Sequence, residues 1–185
     1  MNKKKIITNI FSNWANFITL IVVSFFVSPI LVHRLGNENY GIWVLIVSLT
    51  GYFTVLDFGV NSAIVRFISM YVANNETRKA REIYNTSFVF FSAVSILVLL
   101  VASVFAYFFR DLFGIAALKQ SYLYIVFMIV GIDLSFGFLC SVFLGTLRGL
   151  QEFLKLNMIS ISTLLLKNAI LVLFLLRGYQ LLALA

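Results

Sequence analysis

Residues 83–109 read IYNTSFVFFSAVSILVLLVASVFAYFF, 27 positions with no acid, base or histidine. As a helix this run is roughly 40 Å long, and the hydrocarbon core of a bilayer is about 30 Å thick. A second uncharged run of 27 residues extends from Ile6 to Val32. Neither shows the strict alternation of a β-barrel strand, so the pattern is that of a helical bundle. Outward from these runs the whole chain of 185 residues keeps the same character: 62% hydrophobic, 16% aromatic and 11% charged, with one proline. A soluble domain is nearer half apolar and a quarter charged.

Five spans are expected: Ile7–Val32, Tyr40–Val72, Ile83–Phe109, Gln120–Leu147 and Leu156–Leu176. Leu181–Ala185 reads as the start of a sixth. Pro29 is expected to kink the first span. The Gly36–Asn39 link turns the first and second into an antiparallel hairpin, and Asn74–Glu82 reads as a polar loop. The fold class is therefore an all-α integral membrane protein, a polytopic helical bundle. Residues 1–185 are expected to form a single transmembrane lobe that breaks off within its sixth segment.

The net charge of +7 invites a nucleic-acid reading, but its distribution is topological. Lys3, Lys4, Lys5, Arg78, Lys79, Arg81, Arg148 and Lys155 fall in alternate connections, against Arg34, Arg110, Lys119 and Arg177 in the others. Loops rich in Lys and Arg stay in the cytoplasm, so the N-terminus is expected there. Cys140 is the sole cysteine and His33 the sole histidine, so no internal disulfide and no Cys/His metal site is expected. No nucleotide-binding loop and no Gly-rich phosphate cradle is present, and no cofactor is expected.

Asp57, Asp133 and Lys167 lie deep inside apolar stretches. A charge at mid-bilayer costs about 2.5–3.5 kcal/mol on insertion scales, and such residues face a protein interior or a water-filled cavity. Helical spacing aligns Thr50, Thr54, Asp57 and Asn61 on one face, and Ser160, Thr163 and Lys167 on another. Asn9, Ser12, Asn13, Asn16 and Thr19 stripe the first span. These stripes are expected to line a shared hydrated interior. Asp133, Gly137, Ser141 and Gly145 recur every fourth residue, as a close helix-packing seam does. Asp133 and Lys167 fall at matched depths on antiparallel neighbours, so an ion pair is feasible, fixing helix register or serving function. Arg66 is either an interfacial, snorkelling arginine or a phosphate-gripping group at the cytoplasmic mouth.

Several short motifs occur in order: Leu35-Gly36, Tyr40-Gly41-x-Trp43, Gly51-Tyr52, Leu56-Asp57-x-Gly59 and Ala63-x-x-Arg66-Phe67. Gly145-x-Leu147-Arg148-Gly149-Leu150-Gln151 and Asn157 follow. Together they resemble the polysaccharide and O-antigen lipid flippases of the multidrug/oligosaccharidyl-lipid/polysaccharide exporter superfamily. The resemblance implies 12–14 helices in two lobes around a central cavity, of which this chain supplies the N-terminal one. It implies flipping of undecaprenyl-pyrophosphate-linked oligosaccharide to the outer leaflet of the bacterial inner membrane by ion-coupled alternating access. H⁺ or Na⁺ would be the coupling ion, a glycan polymerase a possible partner, and no catalysis is implied. Arg66, Lys167, Asn16 and Asn61 would then serve the substrate, and Asp57 and Asp133 ion coupling or gating. A drug/cation antiporter of the same superfamily is the near alternative, and a membrane enzyme of glycan assembly the distant one.

Overall fold

The structure is a computed structural model and describes residues 3–113, 120–179 and 181–184. Lys119 and Ala185 lie outside the described residues. The elements are α1 (Lys3–Phe53), a 3-10 turn (Thr54–Asp57), α2 (Val60–Ala73), α3 (Thr77–Phe113), α4 (Gln120–Gly149) and α5 (Phe153–Leu176). A second 3-10 turn follows at Leu181–Ala183, and no strand occurs among the described residues. Four stretches are long and apolar enough to cross a membrane: Ile7–Asp57, Thr77–Phe109, Ser121–Gly149 and Phe153–Leu176. Large apolar side chains such as Phe11, Phe25, Ile96, Leu100, Phe136 and Leu166 point outward. On a soluble monomer a surface of that kind would aggregate. A bundle that crosses a membrane presents a surface of that kind to lipid.

The first expected span is the first arm of α1, residues 3–35, and the second expected span begins on its other arm, residues 37–53. Pro29 remains within the helical stretch, and the residue that leaves helical geometry is Gly36, at φ 72° and ψ 166°. Only glycine takes that conformation without strain. Leu31 and Val47, on opposite sides of the break, line one cleft. A straight helix would hold them about 24 Å apart.

The second expected span is itself interrupted. Phe58 and Gly59 both take left-handed conformations, at φ 46° and 75°, between the 3-10 turn and α2. The stripe from Thr50 through Asp57 to Asn61 assumed an unbroken helix there, and the break removes that alignment. The polar Asn74–Glu82 loop shrinks to three residues, because α3 begins at Thr77 and carries the basic residues on its first turns.

The helices close around two apolar clusters. One, near the Gly36 end, includes Leu35, Ile46, Phe109, Leu123, Val126 and Leu181. The other, near the opposite end, joins Ile64, Ile68, Phe91, Val98 and Val142. On α4 the inward stripe runs Gly131, Ser135, Val142, Gly145 and Gly149, spaced by threes, fours and sevens. The seam expected at Asp133, Gly137 and Ser141 is thus displaced: two residues on from Gly131 is 200° of rotation, which puts Asp133 on the far face. A Cβ at Gly137 would meet nothing within 4 Å, whereas one at Gly131 would lie 2.7 Å from Ala102 Cβ. At Gly149 it would lie 2.9 Å from Ile68 Cβ. Of the two glycines in the expected seam, Gly145 belongs to the contact and Gly137 does not. Buried Ser95 and Ser135 bind α3 to α4 reciprocally, each hydroxyl donating to the other's carbonyl at 2.8 and 3.0 Å.

Candidate functional site

Lys167 Nζ donates to Asp133 Oδ2 at 3.0 Å, bridging α5 and α4. Asp133 sits about 20 Å along α4 and Lys167 about 21 Å along the antiparallel α5, so both lie near mid-depth. The expected pair therefore forms. It is not enclosed by packing, however, because the two side chains remain 56% and 58% exposed. The pair stands between two clefts, of about 330 and 360 Å³. Trp43, Thr50 and Asn168 join it in the first, and Thr163, Leu166 and Phe174 in the second. A lysine ammonium has three donors and a carboxylate two acceptor oxygens. One bond between them leaves hydrogen-bonding capacity for a polar guest of either sign.

Asp57 ends the 3-10 turn, and its Oδ1 accepts the Asn61 backbone N–H at 3.2 Å. An acid there satisfies one of the free amides at the start of α2 and suits the positive end of its dipole. The side-chain Oδ1 of Asn61 is enclosed and has no hydrogen-bond partner. It faces Gly145, where a Cβ would come within 2.9 Å. Asn61 thus serves the α2–α4 contact. Arg66 is exposed and forms no ion pair among the described residues. Gly59 interrupts the helix between Asp57 and Arg66, and no ion pair joins these two.

Much of the polar stripe of the first span is spent on contacts with α5, although Asn9 and Asn13 also border a cleft. Asn157 on α5, only 3% exposed, donates to Ser12 Oγ at 2.9 Å and to Asn13 Oδ1 at 2.6 Å. It also accepts from Asn16 Nδ2 at 3.2 Å. Asn9 reaches the Gln151 carbonyl at 3.3 Å, and Thr19 bonds back to Ala15. Polar groups in an apolar phase find one another, and here they fasten α1 to α5. Asn157 as a hub was missed from sequence; a lone amide in the apolar start of the fifth span was its signal. Below it, Glu152 takes Lys5 at 2.7 Å and Lys155 at 3.4 Å. The hydrogen bond from Lys5, followed by that from Lys155, holds the Glu152 carboxyl below its ordinary range.

The structure therefore groups the sequence candidates by depth. Asp133 and Lys167 meet at mid-depth, Asp57 and Asn61 flank the break before α2, and Asn16 joins the α1–α5 junction. Arg66 lies apart on α2. Residues 4–185 match the family described as polysaccharide biosynthesis protein. The chain belongs to that family. It is also similar to a protein of Yersinia pseudotuberculosis named "Putative O-antigen export protein", 34% identical over 65 residues. That alignment covers 35% of this chain and 15% of the relative, so the chain spans a small part of the length of the relative it matches. No solved structure matches the chain.

Proposed function

We propose that this chain is one lobe of a transporter that flips lipid-linked polysaccharide from the cytoplasmic to the outer leaflet of a bacterial inner membrane. Its N-terminus is cytoplasmic. The observation that carries the reading is the Asp133–Lys167 pair, held between α4 and α5 at mid-depth yet open to clefts on both sides. A pair meant only to lock two helices would be covered by them. The family match and the O-antigen export name of the Yersinia relative supply the class of cargo.

In this reading the lipid tail stays in the bilayer while the pyrophosphate and sugars pass through a hydrated route. Lys167 exchanges Asp133 for an oxyanion of the cargo. Arg66, exposed and without an acidic partner among the described residues, grips phosphate oxygens with its planar fork. Asp133, released from Lys167, takes up the coupling cation, H⁺ or Na⁺. Asp57 sets the geometry of the break before α2. The test is translocation of a fluorescent lipid-linked oligosaccharide in proteoliposomes holding the full-length protein. Transport that depends on a cation gradient and is lost in Lys167→Ala supports the reading, and undiminished transport in that variant contradicts it.

A further inference from the structure

At the end of the lobe opposite Gly36, residues 9–13 of α1, α2 and the α4–α5 turn enclose a cleft of about 430 Å³. We propose that this cleft binds the phosphate headgroup of an anionic membrane lipid, as a resident ligand distinct from any transported cargo.

Its polar wall offers donors and no acid. Arg148, exposed and without an ion-pair partner among the described residues, lines it beside Asn9, Asn13 and Gln151. The Asn13 Oδ1 is already taken by Asn157 at 2.6 Å, which leaves the amide's N–H groups for a guest. Asn9 spends one N–H on the Gln151 carbonyl and keeps the other. The nearest carboxylate, Glu152, is bound by Lys5 and Lys155, so this rim is positive overall. The remaining wall is apolar, with Ile10, Val65 and Phe153. Donors on one side and hydrocarbon on the other match a lipid's glycerophosphate, and a free anion has no use for the apolar side.

The α4–α5 turn adds a second observation. Helices α2, α4 and α5 each end with a left-handed residue whose following N–H reaches back five residues. Those residues are Asn75, Gln151 and Gly178. Glycine and asparagine suit that position, and glutamine at φ 57° is strained. What the glutamine adds is an amide on the cleft wall.

Native mass spectrometry of the full-length protein, with equal phosphatidylglycerol and phosphatidylcholine, tests the proposal. Phosphatidylglycerol should be retained in preference. Arg148→Ala should weaken that retention roughly fivefold, the effect of one basic residue at an anionic surface. Arg148→Lys should keep most of it, and Arg177→Ala, an equal loss of charge at the other end, should leave it unchanged. Equal retention of both lipids, or an equal loss in Arg177→Ala, would overturn the site. Displacement of the lipid by inorganic phosphate alone would show a free-anion site and overturn the lipid assignment. None of these readouts involves a glycan, so the result is separable from the transport reading.

Discussion

Removing Lys167 separates a structural ion pair from a working one. The pair is short, at 3.0 Å, but its side chains are 56% and 58% exposed. Breaking a fully enclosed pair by deleting one partner costs about 3–5 kcal/mol, because the survivor is left as an uncompensated charge. A pair open to water contributes about 0–1 kcal/mol. The transport reading fills the clefts on either side of Asp133–Lys167 with water, which puts the pair in the second class. Lys167→Ala should therefore lower unfolding stability by no more than about 1 kcal/mol, a shift of roughly 2–4 °C in Tm for a chain of this size. Asp133→Asn and the double variant should behave alike, with a coupling below about 1 kcal/mol. Transport should respond far more strongly. Losing one charge-assisted hydrogen bond to the cargo removes about 1.5–3 kcal/mol, roughly ten- to a hundredfold in rate. The assays are thermal unfolding in detergent and surface glycan in a deletion strain complemented at equal membrane abundance. A stability loss of about 3 kcal/mol or more in Lys167→Ala, rescued by the double change, would refute this reasoning. The pair would then fix helix register and nothing else.

Further outcomes follow from the packing and the surface charge. Gly149→Ala drives a Cβ to 2.9 Å from Ile68 Cβ and 3.1 Å from the Val65 carbonyl. It should cost about 1–3 kcal/mol by overpacking. Gly137→Ala, with nothing within 4 Å, should be neutral or stabilising by up to about 1 kcal/mol through helix propensity; the two Tm values check both. Asn157→Leu strips the α1–α5 junction of its hub and should loosen it by about 0.6 kcal/mol per lost interhelical bond, read as faster hydrogen exchange in residues 9–16. The Glu152 carboxyl is held low by Lys5 and Lys155, so its contribution to stability is complete above the ordinary carboxylate pKa. It is lost as pH falls through the depressed value, and Glu152→Gln should flatten the acid limb of a Tm-against-pH profile. Impermeant thiol reagent added from outside should not label a cysteine at position 76 in a Cys140→Ala background, since the Lys and Arg distribution puts that turn inside.

The all-helical membrane class was legible because it depends on run length and composition, as the uncharged stretch at 83–109 shows. The Asp133–Lys167 contact was legible too, because depth along two antiparallel helices is simple arithmetic. What failed was the face argument across residues 50–61, which assumed an unbroken helix, whereas Thr163 and Lys167 on α5 do share a cleft. The left-handed pair at Phe58 and Gly59 rotates everything after it. Asn16 and its neighbours read as a wet stripe because sequence periodicity shows that polar residues share a face. It does not show whether that face meets water or a buried asparagine on another helix. The seam on α4 was misplaced for a related reason: glycines at 131, 137, 145 and 149 fit more than one register. Only the proximity of Ala102 and Ile68 distinguishes between them.

The central claim, that cargo passes along the cleft beside Lys167, is tested most directly by site-specific photocrosslinking in cells making the lipid-linked glycan. Leu171 lines both clefts next to the ion pair, so a photoreactive residue there samples the route and leaves the pair intact. Leu173 lies two positions on, 200° around α5 and 60% exposed on the surface. The account predicts glycan-bearing adducts at position 171 and none above background at 173. Equal adducts at both positions, or none at 171 while export proceeds normally, would contradict it.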